Sequence, residues 1–372
     1  MDVFSPHDKR YMRYALALAR RGLGYVAPNP SVGCVLVKDG HIVGSGRTSS
    51  GGRPHAEIVA LKEAGFEARG STAYVSLEPC AHHGETPPCT GALIEAGVRR
   101  VIAACEDPDP RVSGQGLRQL HCAGIEVASG LLEEEARALN QGFFLKVLEA
   151  RPLVTLKIAT GSDSRILPGK GGVSQWVTGP LSRRRAHLER SLHDAILIGA
   201  GTLRADNPSL TTRLPGLGHT SLRIVLSTNL DMPEDAALFS KNIKGGQAAP
   251  VLVIHGAEKA KGDAFLLGCG AHVRTKYLED TRDIGAVLRI LAQEEGITRL
   301  LVEGGPRVHA SFIHAGVCDR FLWFKGAEPA GKESLPALDG LEVGSLPDDL
   351  GLVRRNVLSL EPDRLEIYEK GA

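Results

Sequence analysis

Hydrophobic and polar positions along the first 150 residues switch repeatedly between two periods. Met12, Ala15, Leu16 and Ala19 recur at helical spacing. They follow Ser5-Pro6-His7-Asp8, which combines an N-cap serine, a proline at the first helical position and an acid three residues on. The apolar run Val32 to Val37 predicts a strand, Asp39-Gly40 a hairpin turn, and Ile42-Val43 the start of the return strand. Beyond it the pattern predicts helix at 55–65, strand at 73–77, helix at 89–97, strand at 100–104, helix at 114–123, strand at 125–128 and one more helix over 133–149. Such alternation is an α/β fold, a sheet covered by helices.

Arg151-Pro152 ends the last of these helices, since the residue before proline is disfavoured in the helical region. A second α/β pattern then begins. Strands are predicted at 153–159, 195–198, 223–227, 251–254 and 299–303, and helices at 180–192, 283–295 and 306–315. The stretches 213–220 and 240–250 read as surface loops. The expected division is therefore 1–150 and 151–372, with no internal repeat.

Composition agrees with two globular domains: 372 residues, 42% apolar and 23% charged. Lys plus Arg is 44 against 43 acidic residues, a net charge of +1. That balance offers no electrostatic footprint for nucleic acid or an anionic membrane. With 5% aromatic residues there is no stacking platform either, which argues against a nucleic-acid-editing enzyme. No apolar stretch approaches membrane-spanning length. The run Ala15 to Ala19 is too short for a secretory signal and is followed by Arg20-Arg21. Seven cysteines do not read as a disulfide framework, so the expected compartment is the reducing cytoplasm.

The cysteines matter chemically. His55-Ala56-Glu57 is followed by Glu78-Pro79-Cys80 and, eight residues further, Cys89. One His and two Cys form a natural zinc set that leaves the fourth tetrahedral position open, as catalytic zinc requires. Each candidate ligand falls at or just before a predicted helix start, where amides and the helix dipole favour thiolate. Zinc lowers the pKa of water toward neutrality, and Glu57, two residues beyond His55, can move a proton without ligating the metal. The alternatives are a structural zinc site, two buried cysteines with an unrelated histidine, or His82 and His83 as ligands. Glu57 has no use in a structural site.

The His-x-Glu and Pro-Cys…Cys arrangement resembles the zinc-dependent cytidine-deaminase superfamily. Eight residues between the cysteines narrow the resemblance. With Pro28-Asn29-Pro30-Ser31-Val32-Gly33-Cys34 upstream and Asp107-Pro108-Asp109-Pro110 downstream, the string resembles the bifunctional riboflavin-biosynthesis deaminase–reductases. The resemblance implies an N-terminal cytidine-deaminase-like α/β/α domain that deaminates 2,5-diamino-6-(5-phosphoribosylamino)pyrimidin-4(3H)-one. It implies zinc on His55, Cys80 and Cys89, Glu57 as the proton shuttle, and Asn29 and His82 at the substrate. Two positions depart from the family pattern: Glu85 stands where Lys or Arg is usual, and Asp109 where Asn is usual.

The second half is less explicit. Leu300-Leu301-Val302-Glu303-Gly304-Gly305-Pro306 is a strand running through a glycine turn into a helix, and Gly199-Ala200-Gly201-Thr202 is a second small-residue loop. Neither fits the Rossmann glycine pattern. Taken alone, Trp176 reads as a core residue and Arg190 or Arg213 as a solvated one. Leu156-Lys157-Ile158-Ala159-Thr160, Ser174-Gln175-Trp176, Gly201 to Pro208 and Val302 to Pro306 resemble the reductase half of the same family. That implies a dihydrofolate-reductase-like α/β domain using NADPH to reduce the ribosyl chain, giving 5-amino-6-(5-phosphoribitylamino)uracil. It places Ala159, Trp176, Thr202, Asp206, Thr228 and Gly305 at the cofactor, and Ser174, Arg190, Leu210, Arg213 and Glu303 at the substrate. The expected partners are this pyrimidine ribose phosphate and further copies of the chain as a homo-oligomer. Departures here are Ser162 and Ser164 around Asp163, in place of Leu and Gly, Val173 in place of Glu, and Ser227 in place of Asp. The competing readings are a deaminase whose second domain has lost reduction, and a zinc-stabilised binding module without catalysis.

Overall fold

The first helix, α1 (Pro6–Arg20), starts where its capping residues dictate. The Asp8 amide donates to Ser5 Oγ at 3.1 Å and the Ser5 amide to Asp8 Oδ2 at 2.8 Å, which satisfies two otherwise unmatched donors. Met12, Ala15, Leu16 and Ala19 face inward as the pattern predicts. β1 (Gly33–Lys38) and β2 (His41–Arg47) form the expected hairpin. Asp39 (φ 49°) and Gly40 (φ 78°) both take positive φ, as the tight turn that matches strand twist requires.

The computed structural model describes residues 4–82, 84, 87–110, 113–169, 176–216, 221–240, 249–258, 261–262, 264–265, 269 and 272–371. The chain divides into two compact units, Met1–Ala150 and Arg151–Ala372. In the first, five strands lie in the order β2-β1-β3-β4-β5. β3 (Thr72–Val75), β4 (Arg100–Ala103) and β5 (Glu126–Ser129) are parallel, and β1 is antiparallel to β3. α2 (Ala56–Ala64), α3 (Cys89–Glu95) and α4 (Gln115–Cys122) supply the helical cover. α2 rests on β2 at backbone range: a Cβ on Gly46 would strike the Ala56 carbonyl, and one on Gly44 the Ala60 carbonyl. A larger residue at either position would displace the helix that begins at His55.

The single helix expected over 133–149 is instead two, α5 (Glu133–Leu139) and α6 (Gln141–Glu149). Asn140 makes the break. Its Oδ1 accepts from the Ser31 amide at 2.9 Å and its Nδ2 donates to the Ser31 carbonyl at 3.0 Å, both buried. Helical periodicity does not anticipate a side chain recruited by a segment so far upstream.

The second unit contains β6 (Leu153–Thr160), β7 (Arg165–Ile166), β8 (Ala195–Gly199), β9 (Leu222–Ser227), β10 (Val251–His255), β11 (Val273–Tyr277) and β12 (Arg299–Val302). β13 (Arg320–Lys325), β14 (Leu335–Pro336), β15 (Leu352–Leu360) and β16 (Asp363–Lys370) complete it. Nine of them form one sheet in the order β11-β10-β9-β8-β12-β6-β13-β16-β15, and β14 pairs with β7. All neighbours up to β13 are parallel; β16 and β15 are antiparallel additions. Alternate residues feed two cores. Leu197, Ile224 and Leu300 belong to one, Ile196, Val225 and Leu301 to the other, and all six are buried. Strands covered on both faces read as continuous apolar runs, which is why these were visible in the sequence.

β11, β13, β15 and β16 were not anticipated. The six residues of β13, Arg-Phe-Leu-Trp-Phe-Lys, are such a run, whereas β15 is mostly exposed and shows no alternation. Gly199-Ala200-Gly201-Thr202 is not a loop: Gly199 is the N-cap of a helix, Ala200–Asp206. The predicted loops 213–220 and 240–250 fall partly outside the described residues, at 217–220 and 241–248. Among the described residues, no helix is long and apolar enough to cross a membrane.

Candidate active sites

His55 caps α2 in an extended conformation, Cys89 opens α3, and Cys80 lies in the loop after β3. His55 Nδ1 is 3.7 Å from Cys80 Sγ and 3.4 Å from Cys89 Sγ, and the three ligand atoms all lie within 4.8 Å of one another. Tetrahedral zinc, with Zn–S about 2.3 Å and Zn–N about 2.0 Å, places its ligand atoms ~3.5 Å apart. The donor set therefore fits zinc in chemistry and in size. Among the described residues His82 is not part of this group, and His83 lies outside them.

The surroundings set the protons. The Cys80 thiol is lowered to about 4, chiefly by its hydrogen bond from Cys89, against the effect of burial. The Cys89 amide also donates to Cys80 Sγ at 3.3 Å. Cys89 moves the opposite way, pushed up by the same hydrogen bond and by burial. His55 is raised, first by its hydrogen bond with Cys80. Glu57 is 3% exposed, and burial, then the Cys80 charge, push its carboxyl up to about 7. It is also hydrogen-bonded to Cys89.

Asn29 Nδ2 donates to the Gly52 carbonyl at 2.8 Å, which seats Asn29 on the turn leading to His55. His82 is half-buried, and its Nδ1 has no hydrogen-bond partner among the described residues. Glu85 lies outside them. The sequence reading attached no role to Glu78. Its buried carboxylate accepts from the Asp107, Gly114 and Leu117 amides at 3.2, 2.8 and 3.1 Å, tying the segment before α4 to the loop that carries Cys80. An acid directly before Pro-Cys was the available signal. Asp107 is pushed up to about 7 by its own burial, and its Oδ1 accepts from the Asp109 amide at 2.8 Å.

In the second unit β12 lies between β8 and β6, which brings the turns after β8 and β12 side by side. α7 (Pro180–Ser191) and α8 (Ala200–Asp206) precede β9. α9 (Ile284–Gln293) precedes β12, and α10 (Pro306–His314) follows it with Gly305 as its N-cap. A Cβ on Gly305 would come within 2.9 Å of Thr202 Oγ1, and one on Gly304 or Gly199 within 2.7 Å of Val308. The two glycine-bearing helix starts thus pack directly against their neighbours, with Thr202 and Val308 filling the space a side chain would need. Asp206 accepts from the Gly169 amide at 2.8 Å, and burial pushes its carboxyl up. Ala159 is near the end of β6, and Thr228 follows β9 with its hydroxyl 3.3 Å from that of Thr281. Trp176 is not a core residue: it is 63% exposed, with the Arg183 guanidinium 5.1 Å from its ring centroid.

Glu303 follows β12 and gathers the charge. Arg190 Nε and Nη2 donate to its two oxygens at 2.6 and 2.9 Å, and Lys157 Nζ lies 3.6 Å from Oε2. Burial opposes ionisation of Glu303, but Arg190 and Lys157 outweigh it and hold the carboxyl at about 2. Arg190 Nη1 donates to the Thr211 carbonyl at 3.1 Å, next to buried Leu210. Arg213 is exposed and donates to Ser209 Oγ at 2.9 Å and Thr211 Oγ1 at 3.3 Å. Ser174 and Val173 lie outside the described residues. Ser164 takes φ 60°, the left-handed region that glycine occupies without strain, while Ser227 Oγ accepts from the Leu230 amide at 3.1 Å.

Residues 5–105 match the profile of the cytidine and deoxycytidylate deaminase zinc-binding region, and residues 152–328 that of the RibD C-terminal domain. The chain is 39% identical over 370 residues to the riboflavin biosynthesis protein RibD of Aquifex aeolicus, covering 98% of each. To the Bacillus amyloliquefaciens RibD it is 41% identical over 360 residues, covering 96% of this chain and 94% of the relative. The chain belongs to the RibD family.

Solved RibD structures agree over the full length. The Acinetobacter baumannii RibD superposes with a TM-score of 0.85 at 31% identity, covering 98% of this chain and 99% of that one. The Thermotoga maritima diaminohydroxyphosphoribosylaminopyrimidine deaminase/5-amino-6-(5-phosphoribosylamino)uracil reductase gives 0.83 at 34% identity with the same coverage. Both halves of a bifunctional RibD deaminase–reductase are present, a hydrolase acting on C–N bonds and an oxidoreductase. The matches span both halves, so the reading in which the second has lost reduction is not favoured.

Proposed function

We propose that residues 1–150 are a zinc-dependent pyrimidine deaminase domain acting on 2,5-diamino-6-(5-phosphoribosylamino)pyrimidin-4(3H)-one, and that residues 151–372 reduce its product with NADPH to 5-amino-6-(5-phosphoribitylamino)uracil. The observation behind this reading is a zinc-sized His/Cys/Cys set beside a buried, non-ligating Glu57, in a chain similar over 98% of its length to the Thermotoga maritima deaminase/reductase. His55, Cys80 and Cys89 hold zinc. Zinc, when bound, acts as a Lewis acid and lowers the pKa of water toward neutrality. Glu57 holds a proton at its carboxyl and passes it to the departing amine nitrogen. Asn29 and His82 orient the pyrimidine.

In the second domain NADPH supplies the hydride. Ala159, Trp176, Thr202, Asp206, Thr228 and Gly305 hold the cofactor, a reading supported by the close approach of Gly305 and Thr202 at the starts of two neighbouring helices. Ser174, Arg190, Leu210, Arg213 and Glu303 hold the substrate. Seven cysteines in a chain of 372 residues do not read as a disulfide framework, and the compartment we assign is the reducing cytoplasm. A coupled assay tests the whole reading: the diamino substrate plus NADPH should release ammonia and consume NADPH in equal amounts. Ammonia without NADPH consumption sinks the second half, and neither signal sinks both.

A further inference from the structure

Glu78 is buried two residues before Cys80, and its carboxylate meets three backbone donors. Oε2 accepts from the Asp107 amide at 3.2 Å and the Gly114 amide at 2.8 Å, and Oε1 accepts from the Leu117 amide at 3.1 Å. Two of these donors belong to the start of α4, whose N-cap Gly114 has no side chain with which to cap. Glu78 supplies the cap from outside the helix, and its negative charge suits the positive end of the helix dipole. The main chain is held as firmly. The Glu78 amide donates to the Cys105 carbonyl at 3.0 Å, and a Cβ on Gly116 would strike the Pro79 carbonyl.

The other thiol is tied to the same helix. Thr90, the residue after Cys89, is buried, and its hydroxyl lies 2.7 Å from Gln119 Oε1 on α4. Its amide donates to the Cys80 carbonyl at 3.2 Å. Both cysteines are therefore set against α4, Cys80 through Glu78 and Cys89 through Thr90 and Gln119. Neither Glu78 nor Gln119 belongs to the ligand group itself. Partners one step behind the ligands orient them before a metal arrives.

We propose that Glu78 is a positioning residue that couples zinc capture to the order of the first turn of α4. The proposal rests on the zinc reading above. With Glu78 on its three amides, the Cys80 loop is held where Cys80 Sγ lies 3.7 Å from His55 Nδ1, so little order has to be created on binding. Coupling between two events is reciprocal. A fixed helix start that favours zinc must in turn be tightened by it. Glu78→Gln keeps the shape but has one acceptor oxygen, so its NH2 group faces an amide donor on one side or the other.

The test is metal affinity, read in the full-length protein. Wild type and Glu78→Gln are stripped of metal and shown to be folded. Cobalt(II) is then titrated in, followed by thiolate-to-metal absorption, and zinc affinity is obtained by competition. Zinc should bind the variant ~10- to 100-fold more weakly, the usual cost of losing a partner behind a ligand. Reduction of the deaminated substrate should be unchanged. A role confined to folding lowers the urea midpoint of the first unit and leaves the affinity of the folded protein alone, and equal affinities overturn the proposal. Should the variant not fold, hydrogen exchange of the wild-type protein decides. Added zinc should slow exchange at the Gly114 and Leu117 amides more than at the amides of α1, and an equal or smaller gain overturns the proposal. Wild-type protein that takes up no zinc removes the zinc reading together with the proposal, whereas wild-type uptake with an unchanged variant removes the proposal alone.

Discussion

The metal set of the first unit closes over 34 positions of chain, from His55 to Cys89, using residue types that few other tasks require. The charged cluster of the second unit joins Arg190 to Glu303 across 113 positions, using residue types found everywhere on protein surfaces. Each centre also holds a buried carboxyl, set in opposite directions. At Glu57 burial and the Cys80 charge outweigh His55, and the carboxyl rises to about 7, where it can exchange a proton. Glu303, whose side chain is 7% exposed, lies against Arg190 and Lys157, falls to about 2, and stays charged. The first carboxyl sits where it can change protonation near neutrality, and the second stays ionised beside its cations.

The contrast yields four measurements, beginning with the largest effect. Cys89→Ser replaces a soft thiolate by a hydroxyl and should lose zinc and bring deamination to background, while reduction of the deaminated substrate continues. Metal analysis with separate assays of the two steps checks it, and unchanged zinc would remove Cys89 from the ligand set. Glu57→Gln leaves the three ligands intact but cannot carry a proton, so zinc should stay near normal while deamination drops at least ~10²-fold. Loss of zinc in that variant would make Glu57 a ligand.

Glu303→Gln leaves Arg190 and Lys157 partly buried without their counter-charge, and should destabilise the second unit by about 3 kcal/mol. Urea denaturation followed on each unit separately checks this. The sign with pH is fixed by the depressed carboxyl. The wild-type advantage is present above the ordinary carboxylate range and disappears as pH falls toward 2, so the two proteins should converge in acid. The smallest effect is Ser164→Gly, which relieves a positive φ and should stabilise the second unit by about 0.5–1 kcal/mol, part of the relief being offset by a looser unfolded chain. No shift in the urea midpoint would mean that the segment tolerates serine without strain.

Much of the candidate zinc site was legible because coordination chemistry restricts the atoms to nitrogen and sulfur; His55 and Cys89 do fall at helix starts, whereas Cys80, expected at one too, lies in a loop. Glu78 escaped notice because its task, accepting three amides from a later loop, leaves no periodic trace. In the second unit the separate pieces were visible and their partnership was not. The helix start at Gly199 to Thr202 and the Gly304-Gly305 junction are unremarkable until strand order sets them side by side. Trp176, which reads as core on its own, is exposed beneath Arg183.

Local pattern by itself determined the two α/β halves, the break at Arg151-Pro152, the first hairpin and the candidate zinc ligands. Each depends on residue type and spacing within a few turns or strands. Tertiary structure decided the split at Asn140, made by its two hydrogen bonds to Ser31. It also decided the facing of the glycine turns and the pairing of Arg190 and Lys157 with Glu303. The reason is physical. In β8, β9 and β12 both faces are buried, so apart from Arg223, Ser227 and Arg299 the positions carry no polar side chain and alternation says nothing about neighbours. Their order follows from the packing of the whole sheet, and only that order brings distant charges within hydrogen-bonding distance.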